Sequence, residues 1–173
     1  GYAHYAVISV RQWGSGSMFT FIVYTLLGEA VYRESRLVEQ VQVDSFDGWL
    51  GNAAQRGFRL RLVLFALPGE AEGDCVFLTD FEALMYNRFM PRIRAQFGVE
   101  TQFENDVNAA VLGRMPEQGA QGVFAGVYFP ERFAPGAGIV IDGCVLHGHR
   151  HFAGEVQFLQ GSQTWLTLDY ADE

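Results

Sequence analysis

Lysine is missing from this chain altogether: all twelve cations are arginine, set against twenty Asp and Glu residues, for a net charge of −8. Nucleic-acid binding draws mainly on Lys and Arg neutralising phosphates. Here the arginines are scattered, the densest group being Arg56, Arg59 and Arg61. An acidic chain without a basic block is a poor candidate for DNA contact by itself. Cysteine is almost absent too, and Cys75 and Cys144 form no C-x-x-C pair. They read as two reduced, partly buried thiols of a cytosolic protein. No apolar run approaches the length of a membrane span. No charged region followed by an apolar stretch and a small-residue cleavage site opens the chain. The expectation is a soluble, cytoplasmic protein without membrane contact.

What is present is apolar and aromatic: 49% of the 173 residues are hydrophobic and 14% are aromatic. A chain of this size buries roughly 70% of the surface its unfolded form exposes. That suffices for one substantial core, so one domain, or one domain and the start of a second, is expected.

The pattern along the chain is strand-rich at both ends. Tyr5 to Val10 and Met18 to Leu27 are rich in Val, Ile, Phe, Tyr and Thr, and Gly14-Ser15-Gly16-Ser17 between them is a turn signal. A second turn at Leu26 to Ala30 leads into an extended Val31 to Leu37, which completes a three-stranded antiparallel meander. Phe46 to Arg56 is weakly helical, with apolar Phe46, Trp49, Leu50 and Ala53 on one side. Arg59 to Leu67 alternates and then turns wholly apolar, as a strand entering a core does, and Pro68-Gly69 ends it. Asp80 or Thr79 caps a short turn, and Leu84 to Phe97 predicts an amphipathic helix stopped by Gly98. Thr101 to Glu104 is a short strand, and Asp106 caps a helix running to about Met115. After a joint at Gln118 to Gly122 the strands resume, with Val123 to Phe129, Gly138 to Ile141, a hairpin turn at Asp142-Gly143, and Cys144 to Leu146. Strands, then alternating helix and strand, then strands again predict an α/β fold with a mixed sheet and flanking helices.

Two segments carry a family likeness. Phe103-Glu104-Asn105-Asp106-Val107-Asn108-Ala109-Ala110-Val111-Leu112-Gly113 resembles the E-N-D-x-N-A-A-x-x-G stretch of the ROK proteins (repressors, open reading frames, kinases). Gly136-Ala137-Gly138-Ile139-Val140-Ile141-Asp142-Gly143, with Gly148 and Ala153-Gly154-Glu155 after it, is similar to that family's G-x-G-I-x-x-D-G and A-G-E strings. Leu67-Pro68-Gly69 sits where the family carries a P-G turn. The resemblance implies the actin-like, ribonuclease-H-like fold of two domains with a sugar in the cleft. Residues 1–120 then form most of the first domain, and 121–173 begin a truncated second one. It also implies an excised fragment. A repressor member would carry a winged helix-turn-helix domain before the first strand, so DNA would be reached only through a domain outside this chain. A homodimer, common in the family, is compatible with it.

By the same resemblance Asp106 takes the position of the catalytic base, and Asn105, Asp106 and Glu155 match sugar contacts. Asp80 lies where the family often has an Asn near the sugar. Read from the residues alone, Asp106 is better taken as an N-cap; the family likeness favours the cleft role, and the two are compatible.

The phosphate side departs from the pattern. Phosphoryl transfer needs a base, backbone N–H groups around the phosphates, and Mg²⁺. The family's D-x-G-G-T falls on Ser9-Val10-Arg11-Gln12-Trp13, which lacks both the Asp and the glycines. Its second loop, G-T-G, falls on Arg132-Phe133-Ala134 before Pro135. Arg11-Gln12 and Arg132-Phe133 are thus expected to be side-chain-crowded turns that leave no room for a triphosphate. Gly14 and Gly16 form a phosphate nest only on a shifted alignment, and a hairpin turn is the preferred reading. The family's zinc-binding His and Cys-rich loop have no counterpart after Gly154-Glu155-Val156-Gln157-Phe158, so no zinc is expected by that route. His147, His149 and His151 would share one face of a strand; a solvated strand end is preferred there to a metal site.

The expected function is a non-catalytic sensor of a monosaccharide or sugar phosphate, the effector part of a ROK transcriptional regulator, holding no cofactor. The alternative is an ATP- and Mg²⁺-dependent sugar kinase, glucokinase-like, with unusual phosphate loops.

Overall fold

In the computed structural model, residues 2–13, 16–79, 81–115, 121–129 and 135–156 are described. Two compact units emerge, Gly1–Asp106 and Val107–Glu173.

The first unit is built on β1 (Ala3–Trp13), β2 (Gly16–Thr25) and β3 (Ala30–Val38), the expected antiparallel meander. After α1 (Asp47–Gln55) come β4 (Arg59–Leu67), a hairpin of β5 (Glu70–Glu72) and β6 (Cys75–Leu78), α2 (Phe89–Phe97) and β7 (Glu100–Asn105). The main sheet runs β3-β2-β1-β4-β7. The pairs β1–β4 and β4–β7 are parallel and the meander pairs antiparallel, so the sheet is mixed, as expected. The β5–β6 hairpin was not expected from the sequence.

One face of this sheet supplies the core. Ala6 and Ile8 of β1, Phe19, Phe21 and Val23 of β2, and Val63, Phe65 and Leu67 of β4 pack with Trp49, Leu50 and Ala53 of α1 and Phe89, Met90 and Ile93 of α2. Phe46 centres the cluster, with ring centroids 5.2 Å from Phe65, 5.6 Å from Phe89 and 5.9 Å from Phe19. Alternation along the strands sends every second side chain into this cluster, as the period of an extended chain requires. The two helices are also tied by Arg92, which forks onto both Asp47 carboxylate oxygens at 2.8 Å and donates to the Val43 carbonyl. That hydrogen bonding, set against partial burial and helped by the guanidinium charge, holds the Asp47 carboxyl below its ordinary value.

The expected helix from Leu84 to Phe97 is in fact two pieces. Glu82–Leu84 is one 3-10 turn, Met85 is extended, and Tyr86 takes φ of 56°. α2 starts only at Phe89 and ends, as expected, at Gly98 in the left-handed conformation. The physical reason is Pro91. It has no N–H, and its ring clashes with the preceding turn of a helix interior, so it is tolerated only in a first turn.

The second unit holds α3 (Asp106–Gly113) from Val107 onward, with β8 (Val123–Tyr128), β9 (Gly136–Ile141) and β10 (Cys144–Val145) in a sheet of order β10-β9-β8. The Asp142-Gly143 hairpin turn is as expected, with φ of 48° and 83°. The sequence placed the division near residue 120; α3 lies beyond the division found. It packs on this sheet through missing side chains. A Cβ at Gly138 would stand 3.0 Å from Val107 O and Asn108 Cα, and one at Gly126 would stand 2.5 Å from Val111 Cγ2. Cys75 is half-buried and Cys144 exposed, and neither is in a disulfide. Among the described residues no helix is long and apolar enough to cross a membrane.

Candidate functional site

In a parallel α/β sheet the carboxyl ends of the strands are where ligands bind, because loops leaving there diverge and open a crevice. β1, β4 and β7 are the parallel strands of the main sheet. Their last paired positions are Ser9 with Ala66, and Leu67 with Asn105. The candidate sugar residues Asn105 and Asp106 therefore stand at such an end.

Asn105 is oriented there by the P-G turn. Its Nδ2 donates to the Gly69 carbonyl at 3.2 Å, and its backbone N–H donates to Glu104 Oε1 at 3.0 Å. Gly69 takes φ of 122°, a conformation that costs other residues strain, so glycine is needed for the carbonyl to face Asn105. The turn is held from its other side by Thr79, whose hydroxyl donates to the Pro68 carbonyl at 2.8 Å and accepts from the Phe81 N–H at 3.2 Å. Sequence reasoning had marked Pro68-Gly69 as family-like but had not connected it to Asn105. The bond joins residues 36 apart, and no local pattern announces it. Asp80 lies outside the described residues.

Asp106 is the first residue of α3 and is half-buried. The unpaired N–H groups of a helix start favour a carboxylate there, a structural role compatible with the binding role expected from the family likeness.

Glu155 belongs to the second unit and is half-buried. The A-G-E string that carries it is fixed by Gly154, whose carbonyl accepts from Ala137 N–H at 2.8 Å. Gly154 has φ of 88°, and a Cβ there would stand 1.9 Å from the Ala137 carbonyl oxygen. Gly138 and Gly154 of the second family-like segment thus have packing roles that require no phosphate.

At the phosphate-loop position the expected crowded turn at Arg11-Gln12 is not a turn. β1 continues through it, and the ladder with β2 runs without interruption from Ser9–Thr20 through Arg11–Met18 and Gln12–Ser17 to Trp13–Gly16. A phosphate nest needs successive N–H groups turned to one point, whereas a strand points them alternately to opposite sides. Gly16 sits in β2, where a Cβ would meet Leu37 Cδ1 and the Val38 carbonyl, each at 3.2 Å. Close approach of β3 accounts for that glycine. Gly14 and Arg132-Phe133-Ala134 lie outside the described residues.

The histidines are not on a strand either. β10 ends at Val145, and His149–His151 is a 3-10 turn. His147 and His151 nevertheless meet, with ring centroids 5.1 Å apart. The structural zinc implied by the family likeness needs thiolate donors, and no Cys follows Cys144. The donor set does not fit that group.

No protein-family profile matches the sequence, and no curated protein is detectably similar to it. Solved structures are similar in shape. A ROK hexokinase from Thermus thermophilus superposes with a TM-score of 0.65 at 20% identity, over 91% of this chain and 53% of that one. The fold is that of the ROK proteins. A ROK glucokinase from Streptomyces griseus, solved with glucose and AMPPNP, gives 0.64 at 16% identity over 85% of this chain and 47% of its own. A ROK transcriptional regulator, homologous to the E. coli Mlc protein, gives 0.64 at 20% identity over 86% and 39%. The actin-like ATPase fold expected from the sequence is therefore present, and the chain spans about half or less of each of these three ROK chains.

Proposed function

We propose that this chain is the sugar-binding part of a ROK-type transcriptional regulator that binds a monosaccharide and does not phosphorylate it. The observation that carries this reading is the unbroken β1–β2 ladder. Where phosphoryl transfer would need backbone donors converging on the nucleotide, Ser9 to Trp13 commit theirs to a strand. On the sugar side, Asn105 held by Gly69 and Asp106 at the head of α3 support the reading, while the His that ends the family's G-E-x-G-H string is replaced by Phe158. The Asn carboxamide and Asp carboxylate supply the paired donors and acceptors that read vicinal hydroxyls. The likeness to the glucose complex supports a sugar as ligand, and the regulator among the neighbours supports a sensing role. Sugar would then bias two arrangements of the protein, and DNA-binding elements outside this chain would report the bias. The ligand is a neutral sugar or a sugar phosphate in the cytoplasm.

Calorimetric titration of the full-length protein against a panel of hexoses, amino sugars and their phosphates tests this. Saturable binding of one class is expected, weakened at least tenfold by Asn105→Ala, with no sugar-dependent ATP consumption. Turnover of ATP that depends on the sugar and is lost in Asp106→Asn would establish the kinase alternative instead.

A further inference from the structure

The histidine pair of the second unit lies in a loop fastened at both ends to β9. Leu146 N–H donates to the Ile139 carbonyl at 2.8 Å, and the Gly154 carbonyl accepts from Ala137 at 2.8 Å. Between those anchors the loop closes on itself, with Ala153 N–H donating to the His147 carbonyl at 3.0 Å and Phe152 N–H to the His149 carbonyl at 3.2 Å. Gly148 lets the two arms touch, since a Cβ there would come within 2.9 Å of Ala153 Cβ. The closure brings His147 and His151 ring to ring, both half-buried, while His149 is exposed. His151 does this from φ of 63°, a conformation in which glycine would be free of strain.

Two imidazoles on one tetrahedral ion, each bonded through a ring nitrogen at about 2.0–2.1 Å, hold their centroids roughly 5 Å apart. The observed separation is 5.1 Å, with the rings inclined at 64°. We infer that His147 and His151 form a two-histidine site for a first-row divalent ion of the Zn²⁺, Cu²⁺ and Ni²⁺ class, the ions that imidazole nitrogen prefers. Among the described residues no group of three or more His, Cys, Asp or Glu is placed to hold an ion. The site therefore offers two protein donors on a preformed loop and leaves the remaining positions to water or a small ligand. It is unrelated to the family's thiolate zinc, whose donors this chain lacks. It also stands independently of sugar binding.

The test uses tag-free full-length protein and Zn²⁺ alone, in competition with a chromophoric chelator. One ion per chain is expected, with affinity reduced at least tenfold by His147→Ala and by His151→Gly, and unchanged by Cys144→Ser or His149→Ala. His151→Gly suits the left-handed backbone, so the loop keeps its shape while losing the donor, which circular dichroism and thermal melting check. Absence of saturable binding at millimolar Zn²⁺ overturns the inference and leaves the rings as a simple edge-to-face contact. So does either histidine variant binding as tightly as the native protein, or a loss of binding in Cys144→Ser.

Discussion

The two units solve the packing problem in opposite ways. The first fills its interior with large rings, with Phe19, Phe21, Phe46, Trp49, Phe65 and Phe89 all fully buried. In the second, Val140 is the one fully buried Val, Leu, Ile, Met or aromatic side chain among the described residues. There α3 and the A-G-E segment come close to the sheet because Gly126, Gly138 and Gly154 have nothing to push them away. One unit gains stability from volume buried and the other from volume withheld. The first should therefore suffer when side chains shrink, and the second when they grow.

The largest effect that sharpens this contrast is expected from Phe46→Ala. Removing a ring that touches four others leaves a cavity no neighbour can fill, and about 4 kcal/mol of stability should go. Urea unfolding followed by tryptophan fluorescence checks it; a loss under about 1 kcal/mol would mean that the cluster repacks. Next comes Gly154→Ala. One added methyl meets the Ala137 carbonyl and imposes a positive φ on an L-residue, at an expected cost of about 3 kcal/mol. Hydrogen exchange localises it: protection of the Ala137 amide should fall while that of Phe65 in the first unit holds. Equal loss at both would show that the units do not differ in this way.

The smallest effect is electrostatic. Asp47 is held below its ordinary value by the hydrogen bonds from Arg92, with burial opposing. A depressed carboxylate contributes stability that is fully present above its unfolded value, near 3.9, and is lost as pH falls through the lower folded one. Arg92→Gln should therefore cost about 1 kcal/mol near neutrality and flatten the decline on acidification. Urea titrations from neutral to strongly acid pH read the difference, and parallel curves for the two proteins would remove Asp47 from the acid response.

Much of the first unit was legible beforehand because its signals are local. The meander at β1 to β3 follows from β-branched runs and glycine turns, and Arg59–Leu67 declares itself by alternation. The start of α2 was misjudged because apolar periodicity carried on through Met85 and Tyr86, although Pro91 marked where a helix had to begin. At Arg11-Gln12 the missing glycines were visible and the ordered strand was not, since pairing with Met18 and Ser17 is settled between strands. Of the candidate site, Asn105 and Asp106 were found through the motif, whereas the contact that orients Asn105 came from Gly69, far away in sequence. The histidines misled for a related reason. Alternate spacing suggested one face of a strand, yet it is a closed loop that joins His147 to His151 and leaves His149 exposed.

The sequence by itself determined that this chain is acidic and lysine-free, that it opens with a strand meander, and that Asn105, Asp106 and Glu155 stand in ROK-like strings without phosphate-loop glycines. These follow from composition and from runs of a few residues, where propensity and turn chemistry decide. Only the tertiary structure decided that Ser9 to Trp13 stay in a ladder, that glycine serves helix-to-sheet contact, and that two histidines face each other. Those depend on which distant backbones come close, and the free energy that brings them together is shared over the whole of each unit.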